Sequence, residues 1–401
     1  MPVSMTQPTA AYWVWIMTDQ KPAPVRLGMI GGGEGAFIGE VHRMAARLDN
    51  QFQLVAGAFS SDAARSAASA AQLGLDPSRG YANVEELIEG EKNRDDGIEA
   101  AVIVTPNFLH HQQAEQLIAA GIHVICDKPV TTTAKDAAHL QNLLAGQQSL
   151  FMVTYNYSGY AMVREARHLV AEGALGAIRL VQVEYPQDWL SHDIESTGQK
   201  QAAWRTDPDK AGPGGSLGDI GCHAFHLAEF VSGLQVNELL ADLTSFVPGR
   251  KLDDNAQVLL RFDSGARGAL WASQVAIGHN NGLKLGVYGD SGSLQWSQEQ
   301  PETLTFTRDG EAPQIIQRGT DSGGETAARL SRLPGGHPEG FLEGFANLYN
   351  GFAQAVVARR SDPTAVLLTE LPSIDAGMRG VRFIEAAVNS AKAGNVWQTL
   401  E

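Results

Sequence analysis

Three side chains with acid–base chemistry stand in two short motifs of this sequence. Lys128 lies between a carboxylate and a proline in Cys126-Asp127-Lys128-Pro129, and Asp219 and His223 stand four residues apart in GPGGSLGDIGCH, residues 212–223. A proline biases the residue before it toward extended backbone, which suits a lysine whose ammonium projects over a cleft. Side chains four apart share one helix face, so Asp219, expected as the N-cap after the Gly-rich loop, and His223 are expected to point into one cleft. An ammonium, a carboxylate and an imidazole that titrates near neutral pH suit proton transfer at a hydroxyl. Cys222 reads as a small buried side chain rather than a nucleophile. The His223/His226 pair lacks a third ligand at suitable spacing, so no metal is expected.

A second motif offers a place for a large cofactor. Gly31-Gly32-Gly33-Glu34-Gly35-Ala36 directly follows the buried run 25–30 and opens a helix. Read as G-x-G-x-x-A, Gly31 makes the turn, Gly33 lets a pyrophosphate approach the backbone and Ala36 allows close helix packing, with Phe37 and Ile38 at the helix start. The strand-turn-helix context makes this a dinucleotide-binding turn. The ribose partner, usually Asp or Glu at the end of the second strand, is replaced by Ser60 and Ser61, with Asp62 and Arg65 nearby. NAD and NADP therefore both stand as cofactors: Arg65 is either a partner for a 2′-phosphate or a solvated helix residue, and Asp62 an N-cap. Thr105-Pro106-Asn107 and Asp127-Lys128 end two further strands, where a doubly wound sheet binds its ligands. Of the pair His110-His111, His110 is expected to face the cofactor and His111 the solvent.

These residues need an α/β frame to position them. Strand patterns at 25–30, 52–59, 100–105, 123–126 and 149–155 alternate with helix patterns at 37–48, 62–73, 110–120 and 133–144. The alternation predicts a doubly wound parallel dinucleotide-binding domain over 25–155, with 100–105 as its fourth strand and 123–126 as its fifth. Residues 156–401 read as an α+β substrate-binding and oligomerisation domain. It has a helix over 160–172, a strand over 178–185 and hairpins turning at 263–265, 289–292 and 308–310 in an open, mainly antiparallel sheet. Helices 339–358 and 374–393 are expected on the rim or back of that domain. The apolar run 10–17 falls in a leader, 1–24, expected to be poorly ordered, with Met5 or Met17 as alternative starts.

Composition narrows the partners. With 401 residues and 43% of them apolar, the chain is globular with ample core. Its 30 Lys and Arg against 45 Asp and Glu leave a net charge of −15, which argues against nucleic acid or an anionic membrane as partner. Two Cys in unrelated segments fit a reducing compartment, so a cytoplasmic protein is expected.

Taken together, VRLGMIGGG, TPNFLHH, AGIHVICDKPVTT and GGSLGDIGCHAFHL resemble the Gfo/Idh/MocA family of NAD(P)-dependent sugar and polyol oxidoreductases, over about Val25 to Ala393. The resemblance implies that Lys128 polarises the substrate oxygen, His223 is the base and Asp219 orients the hydroxyl or the imidazole. Asp127 stands where the family usually has Glu, and the Gly-rich turn is longer than usual. Tyr157 stands where Arg is frequent, which disfavours an acidic sugar. Substrate contacts are expected from Tyr157, Gln187, Asp188, Trp204, Arg205 and His337, whose rings and polar groups suit the C–H faces and hydroxyls of a carbohydrate.

The implied activity is hydride transfer between NAD(P) and a CH–OH group of a sugar, inositol or anhydrosugar. Two alternatives are a non-catalytic, dinucleotide- or sugar-responsive regulator on the same fold and a periplasmic oxidoreductase. The presence of Lys128, Asp219 and His223 weighs against the first, and the absence of a twin-Arg leader against the second. Apolar runs in 269–276 and 283–288 suggest a homodimer or homotetramer built through the second domain's sheet.

Overall fold

Strands that are apolar at every position need both faces covered, and helices on either side of a parallel sheet meet that need in the first half of the chain. The computed structural model describes residues 22–365 and 370–400; residues 1–21, which hold most of the expected leader and both alternative starts, lie outside the described residues. Strands β1 (Val25–Gly31), β2 (Phe52–Ala58), β3 (Ala100–Val104), β4 (His123–Cys126) and β5 (Phe151–Val153) form a parallel sheet in the order β2-β1-β3-β4-β5. Every residue of β3 is buried. Helices α1 (Phe37–Leu48), α2 (Ala63–Gln72), α3 (Val84–Glu91), α4 (His110–Ala119) and α5 (Ala134–Ala145) follow the strands. Asp62, Asn83 and Thr133 cap α2, α3 and α5 through side chains that accept backbone N–H bonds.

Two expectations about this half are corrected. No strand separates β2 from β3: residues 73–99 hold a 3₁₀ turn at Pro77–Arg79 and α3, joined to the sheet by one bridge, Gly57 to Gly80. The Thr105 motif thus ends the third strand and the Lys128 motif the fourth. Val84 and Leu87, buried one turn apart behind the Asn83 cap, show the helical period that prevails there. The strand expected over 149–155 shrinks to three residues, because the Tyr155 and Asn156 amides donate back to the Val153 and Thr154 carbonyls and turn the chain.

The second half contains α6 (Ala161–Ala171), β6 (Ile178–Pro186), α7 (Lys200–Arg205), α8 (Pro208–Ala211) and α9 (Cys222–Ser232). Then come β7 (Val236–Thr244), β8 (Asn255–Phe262), β9 (Arg267–Ser273), β10 (Lys284–Gly289), β11 (Gly292–Ser297), β12 (Thr303–Arg308) and β13 (Gln314–Gln317). Helices α10 (Gly324–Arg329), α11 (Phe341–Ser361) and α12 (Ile374–Lys392) and strand β14 (Gln398–Thr399) complete it. Nine strands pair in the order β13-β12-β11-β10-β6-β9-β8-β7-β14; β6 and β9 run parallel and every other pair antiparallel. Helices α9 and α12 cover the inner face, while Leu180 and Leu259 stay about half exposed.

Helix α11 is not a lid on this second sheet. Its Phe345, Leu348, Tyr349, Phe352 and Val356 repeat at three- and four-residue spacing and join the core of β1, β2 and α1. The Tyr349 hydroxyl lies 2.8 Å from His42 Nδ1 on α1. Among the described residues, no helix is long and apolar enough to cross a membrane.

Candidate active site

The carboxyl ends of the parallel strands open onto a cleft of about 660 Å³ that runs from the Gly-rich turn to the second half of the chain. Gly31, Gly33, Ala36, Phe37 and Ile38 line one end, and Ser60, Ser61 and Arg65 the flank beyond β2. Thr105, Pro106, Asn107, Asp127 and Lys128 line the floor, and Gln201, Trp204, Arg205 and Asp219 the far wall. Gly31 has φ +79°, a conformation that L side chains rarely adopt. Unlike α2, α3 and α5, helix α1 has no side-chain cap at its N-terminus. Its first amides are left at the cleft, which makes an anion site. Ala36 is that N-cap position and not the close-packing residue; Gly39 takes that part, since a Cβ there would lie 2.4 Å from the Gly32 Cα.

His110 does not line the cleft. It is buried, with its two ring nitrogens 2.8 Å from the Pro129 and Thr105 carbonyls, so it ties the loops after β3 and β4 together. His111 meets His139 on α5 instead of standing alone in solvent. Asn107 lines the cleft while its side-chain amide donates to the Ala211 carbonyl at 3.0 Å, joining the two halves. Asp62 is spent on capping, accepting from the Arg65 amide at 2.9 Å.

At the far wall the expected chemical groups converge. Lys128 Nζ donates to Asp219 Oδ1 at 2.9 Å and also to the Asp219 carbonyl. Asp219 Oδ2 accepts from Gln274 Nε2 at 2.8 Å and lies 3.4 Å from Arg205 Nε. Burial works against a charged carboxylate here, but Lys128 and Arg205 outweigh it and hold the Asp219 carboxyl well below the usual range. By the same contest, burial opposes and the neighbouring Asp219 prevails, so the Lys128 ammonium is held above its usual value.

Asp219 is not an N-cap. It lies inside a π-helical turn, Leu217–Gly221, continuous with α9, a geometry often found at functional sites. The turn is fixed from outside by Asp253, which sequence reasoning missed. Its carboxylate accepts from Gly215 N–H at 2.7 Å, Ser216 O–H at 2.7 Å and Leu217 N–H at 2.8 Å.

His223, one turn on, is 8% exposed and sits against three tyrosine rings: Tyr157, Tyr155 and Tyr185, with centroids at 5.0, 5.7 and 6.4 Å. Burial, and then the Lys128 charge, push its pKa well below the ordinary imidazole value, so the ring is neutral at physiological pH. Among the described residues, its buried Nδ1 has no hydrogen-bond partner. His226 stacks between Tyr155 and Phe230, with burial lowering its pKa to about 3. Cys222 is fully buried, and burial pushes its thiol up to about 11.

The expected substrate residues divide. Tyr157 hydrogen-bonds the Tyr185 hydroxyl, and Asn281 Oδ1 accepts from Tyr185 at 2.7 Å and from Gln187 Nε2 at 2.7 Å, which joins Gln187 to the tyrosines around His223; like His223, neither Tyr157 nor Gln187 is among the residues that line the cleft. Asp188 accepts from the Gly278 amide of the adjoining loop at 3.0 Å. Trp204 and Arg205 line the cleft, but His337 is exposed in a loop whose carbonyl accepts from Arg318, and it does not line the cleft. Tyr185, Gln274 and Asn281 also escaped the sequence reading. The polar residue that ends the alternation of β9, Gln274, was the available signal.

Residues 25–155 match the model of the oxidoreductase family with the NAD-binding Rossmann fold, and residues 163–295 match the GFO/IDH/MocA C-terminal domain. An uncharacterized oxidoreductase of Bacillus subtilis, YfiI, is 36% identical over 378 residues, 93% of this chain and 96% of that protein. An oxidoreductase from Sinorhizobium meliloti is 48% identical, with a TM-score of 0.84 over 94% of this chain and all of that one. An inositol dehydrogenase homolog from Azotobacter vinelandii, solved with NAD⁺, is 39% identical, with a TM-score of 0.90 over 94% of this chain and 97% of that one. An inositol dehydrogenase homolog from Azotobacter vinelandii has also been solved with NADH and myo-inositol; it is 38% identical, with a TM-score of 0.87 over 94% of this chain and 97% of that one.

Proposed function

The chain belongs to the Gfo/Idh/MocA oxidoreductase family, with an NAD-binding Rossmann domain at its N-terminus, and on that premise we propose that it oxidises a secondary alcohol of a neutral cyclic polyol or sugar. The observation that carries this reading is the Lys128–Asp219 pair at the far wall of the cleft, with His223 one turn away in its tyrosine box.

The cleft suits a dinucleotide. The uncapped amides at the start of α1 and the turn at Gly31 to Gly33 hold the pyrophosphate; Ser60, Ser61 and Arg65 hold the adenosine ribose; Thr105 to Asn107 lie toward the nicotinamide. Asp62 is engaged as a cap, and Ser60 and Ser61 stand where a ribose-binding carboxylate is usual, so both NAD and NADP are accepted. When bound, the dinucleotide supplies the hydride acceptor.

Oxidation removes a hydride from carbon and a proton from oxygen. Lys128 hydrogen-bonds the reacting oxygen and stabilises the charge that develops on it. Asp219 keeps Lys128 protonated and aimed, with Gln274 and Arg205 fixing the carboxylate in turn. His223, neutral because it is buried, accepts the hydroxyl proton. Tyr157, Gln187, Trp204 and the Asn281 network offer flat rings and neutral hydrogen-bonding groups, while the two cations, Lys128 and Arg205, already share a carboxylate. That balance favours an uncharged ring over a sugar acid or sugar phosphate. The myo-inositol complex of the Azotobacter vinelandii homolog supports the same class.

We place the enzyme in the cytoplasm, on the two free, buried cysteines. It is a homodimer or homotetramer through the outer face of the nine-stranded sheet, where Leu180 and Leu259 are half exposed beside Trp271 and Tyr288. The test is a spectrophotometric screen with NAD and NADP against inositols, anhydrosugars, uronates and sugar phosphates. Dinucleotide reduction with an uncharged polyol is expected. A preference for charged sugars, or dinucleotide binding without turnover on any substrate, contradicts the reading, the second outcome in favour of a regulator.

A further inference from the structure

Helices α4 and α5 pack side by side on the parallel sheet, and a cluster unrelated to the cleft lies on their outer side. His111 and Glu115 are one turn apart on α4 and project from the same flank. His139 on α5 turns to meet them. His111 Nε2 lies 2.9 Å from His139 Nδ1, and His139 Nε2 lies 3.7 Å from Glu115 Oε1. One atom from each of the three residues falls within 4.8 Å of the others. Among the described residues, no lysine or arginine pairs with Glu115, whose side chain and that of His139 are 43% and 48% exposed.

We propose that His111, Glu115 and His139 form a binding site for a divalent transition-metal ion of the Zn²⁺ class that clamps α4 to α5. Ligand atoms of a tetrahedral ion with bonds of about 2.1 Å lie roughly 3.4 Å apart; the approaches of 2.9 and 3.7 Å use the two different nitrogens of His139, of which one ion takes one, and with one atom from each residue all three lie within 4.8 Å of one another. Turns of exposed side chains close the remaining difference without moving the backbone. The ring–ring hydrogen bond requires one imidazole nitrogen to donate and the other to present a lone pair. A metal ion takes the place of that shared hydrogen: the donor imidazole carries its proton on its other ring nitrogen instead, so both rings ligate as neutral imidazoles with no net proton release from them.

Two imidazoles and one carboxylate are a donor set for Zn²⁺, Ni²⁺ or Cu²⁺, whereas Mg²⁺ and Ca²⁺ require oxygen throughout. Three protein ligands with an open outer side leave the remaining positions to water. The site is separate from the chemistry: Gln112 and Gln113 of α4 line the cleft, while His111, Glu115 and His139 do not. The ion therefore acts on stability, by crosslinking the helices that follow β3 and β4.

The experiment uses tag-free, EDTA-dialysed protein titrated with ZnCl₂ by calorimetry, with thermal unfolding recorded with and without the ion. One Zn²⁺ per chain and a raised Tm are expected. His139→Ala and His111→Ala should each weaken binding by more than ~10-fold, with dinucleotide affinity unchanged, and Glu115→Gln should weaken it less. Cu²⁺ bound to the parent protein should show two imidazole nitrogens in its EPR spectrum. No Zn²⁺ binding by the folded parent, or equal binding by His139→Ala, overturns the proposal. Both readouts are independent of turnover, so the outcome stands whatever substrate the enzyme takes.

Discussion

Replacing Asp219 with asparagine keeps the shape of the far wall and removes the one negative charge that Lys128 and Arg205 share. Two unit charges 4 Å apart attract by about 4 kcal/mol at the effective dielectric of a protein site. Deleting one partner of a buried pair typically costs about 3–5 kcal/mol, because the other charge is stranded. The Lys128 and Asp219 side chains are 13% and 20% exposed, so screening trims the expected loss of unfolding free energy to roughly 2–3 kcal/mol.

The kinetic signature of Asp219→Asn is more specific than the stability loss. Burial, the largest influence on Lys128, lowers its pKa, and Arg205 does the same; Asp219 leads the groups that oppose them. In the variant the lysine pKa falls, so the alkaline decline of turnover should begin at a lower pH than in the parent. The assay is urea unfolding together with kcat against pH, with dinucleotide affinity measured on the same preparations. A variant with the parent's alkaline profile and unfolding free energy would refute the reasoning. In the parent, the Asp219 carboxyl lies below its unfolded value of 3.8 and the Lys128 ammonium above its unfolded value of 10.5. The pair's stabilisation is therefore present between those values, lost as pH falls below 3.8 through the folded-state value and lost as pH rises through the raised lysine value.

Asp253→Ala strips three donors of their acceptor at the start of the π-helical turn and should cost about 3 kcal/mol by urea unfolding and lower kcat far more than dinucleotide affinity. Burial raises the Asp253 pKa, so the neutral isostere Asp253→Asn should recover more than half of the loss; no recovery of kcat contradicts a positioning role. Gly39→Val places a side chain against Gly32, 2.4 Å from a would-be Cβ, and should weaken NAD binding by more than ~10-fold in calorimetry, since the first turn of α1 must move. If the proposed oligomer forms through this face, Leu180→Glu combined with Leu259→Glu should leave a monomer in sedimentation; a parent protein already monomeric at micromolar concentration removes the basis for that interface.

Local signals foretold local structure. The bounds of α1 and β4 follow directly from the 3.6-residue period of 37–48 and the short β-branched run 123–126. Lys128 and Asp219 were legible because their motifs close buried strands or Gly-rich loops. What lay hidden depends on distant packing. Asp219 reads as an N-cap in isolation, yet Asp253, from the connection between β7 and β8, sets the π-helical turn around it. Gly39 reads as an ordinary helix residue until the approach of Gly32 is seen. Tyr185 and Asn281 lie on β6 and the loop before β10 and acquire meaning only through the sheet register that joins them. His111 and His139 stand on successive helices, with no sequence spacing to betray their contact.

The central claim is that Lys128 and His223 act on the substrate oxygen and not on the dinucleotide. Lys128→Ala and His223→Ala, assayed for kcat on the best uncharged polyol and for NADH affinity on the same preparations, test it most directly. The expected result is a loss of kcat of about a hundred- to ten-thousand-fold with NADH affinity within a few-fold of the parent. Near-native turnover in either variant, or an NADH affinity that falls in step with kcat, contradicts it.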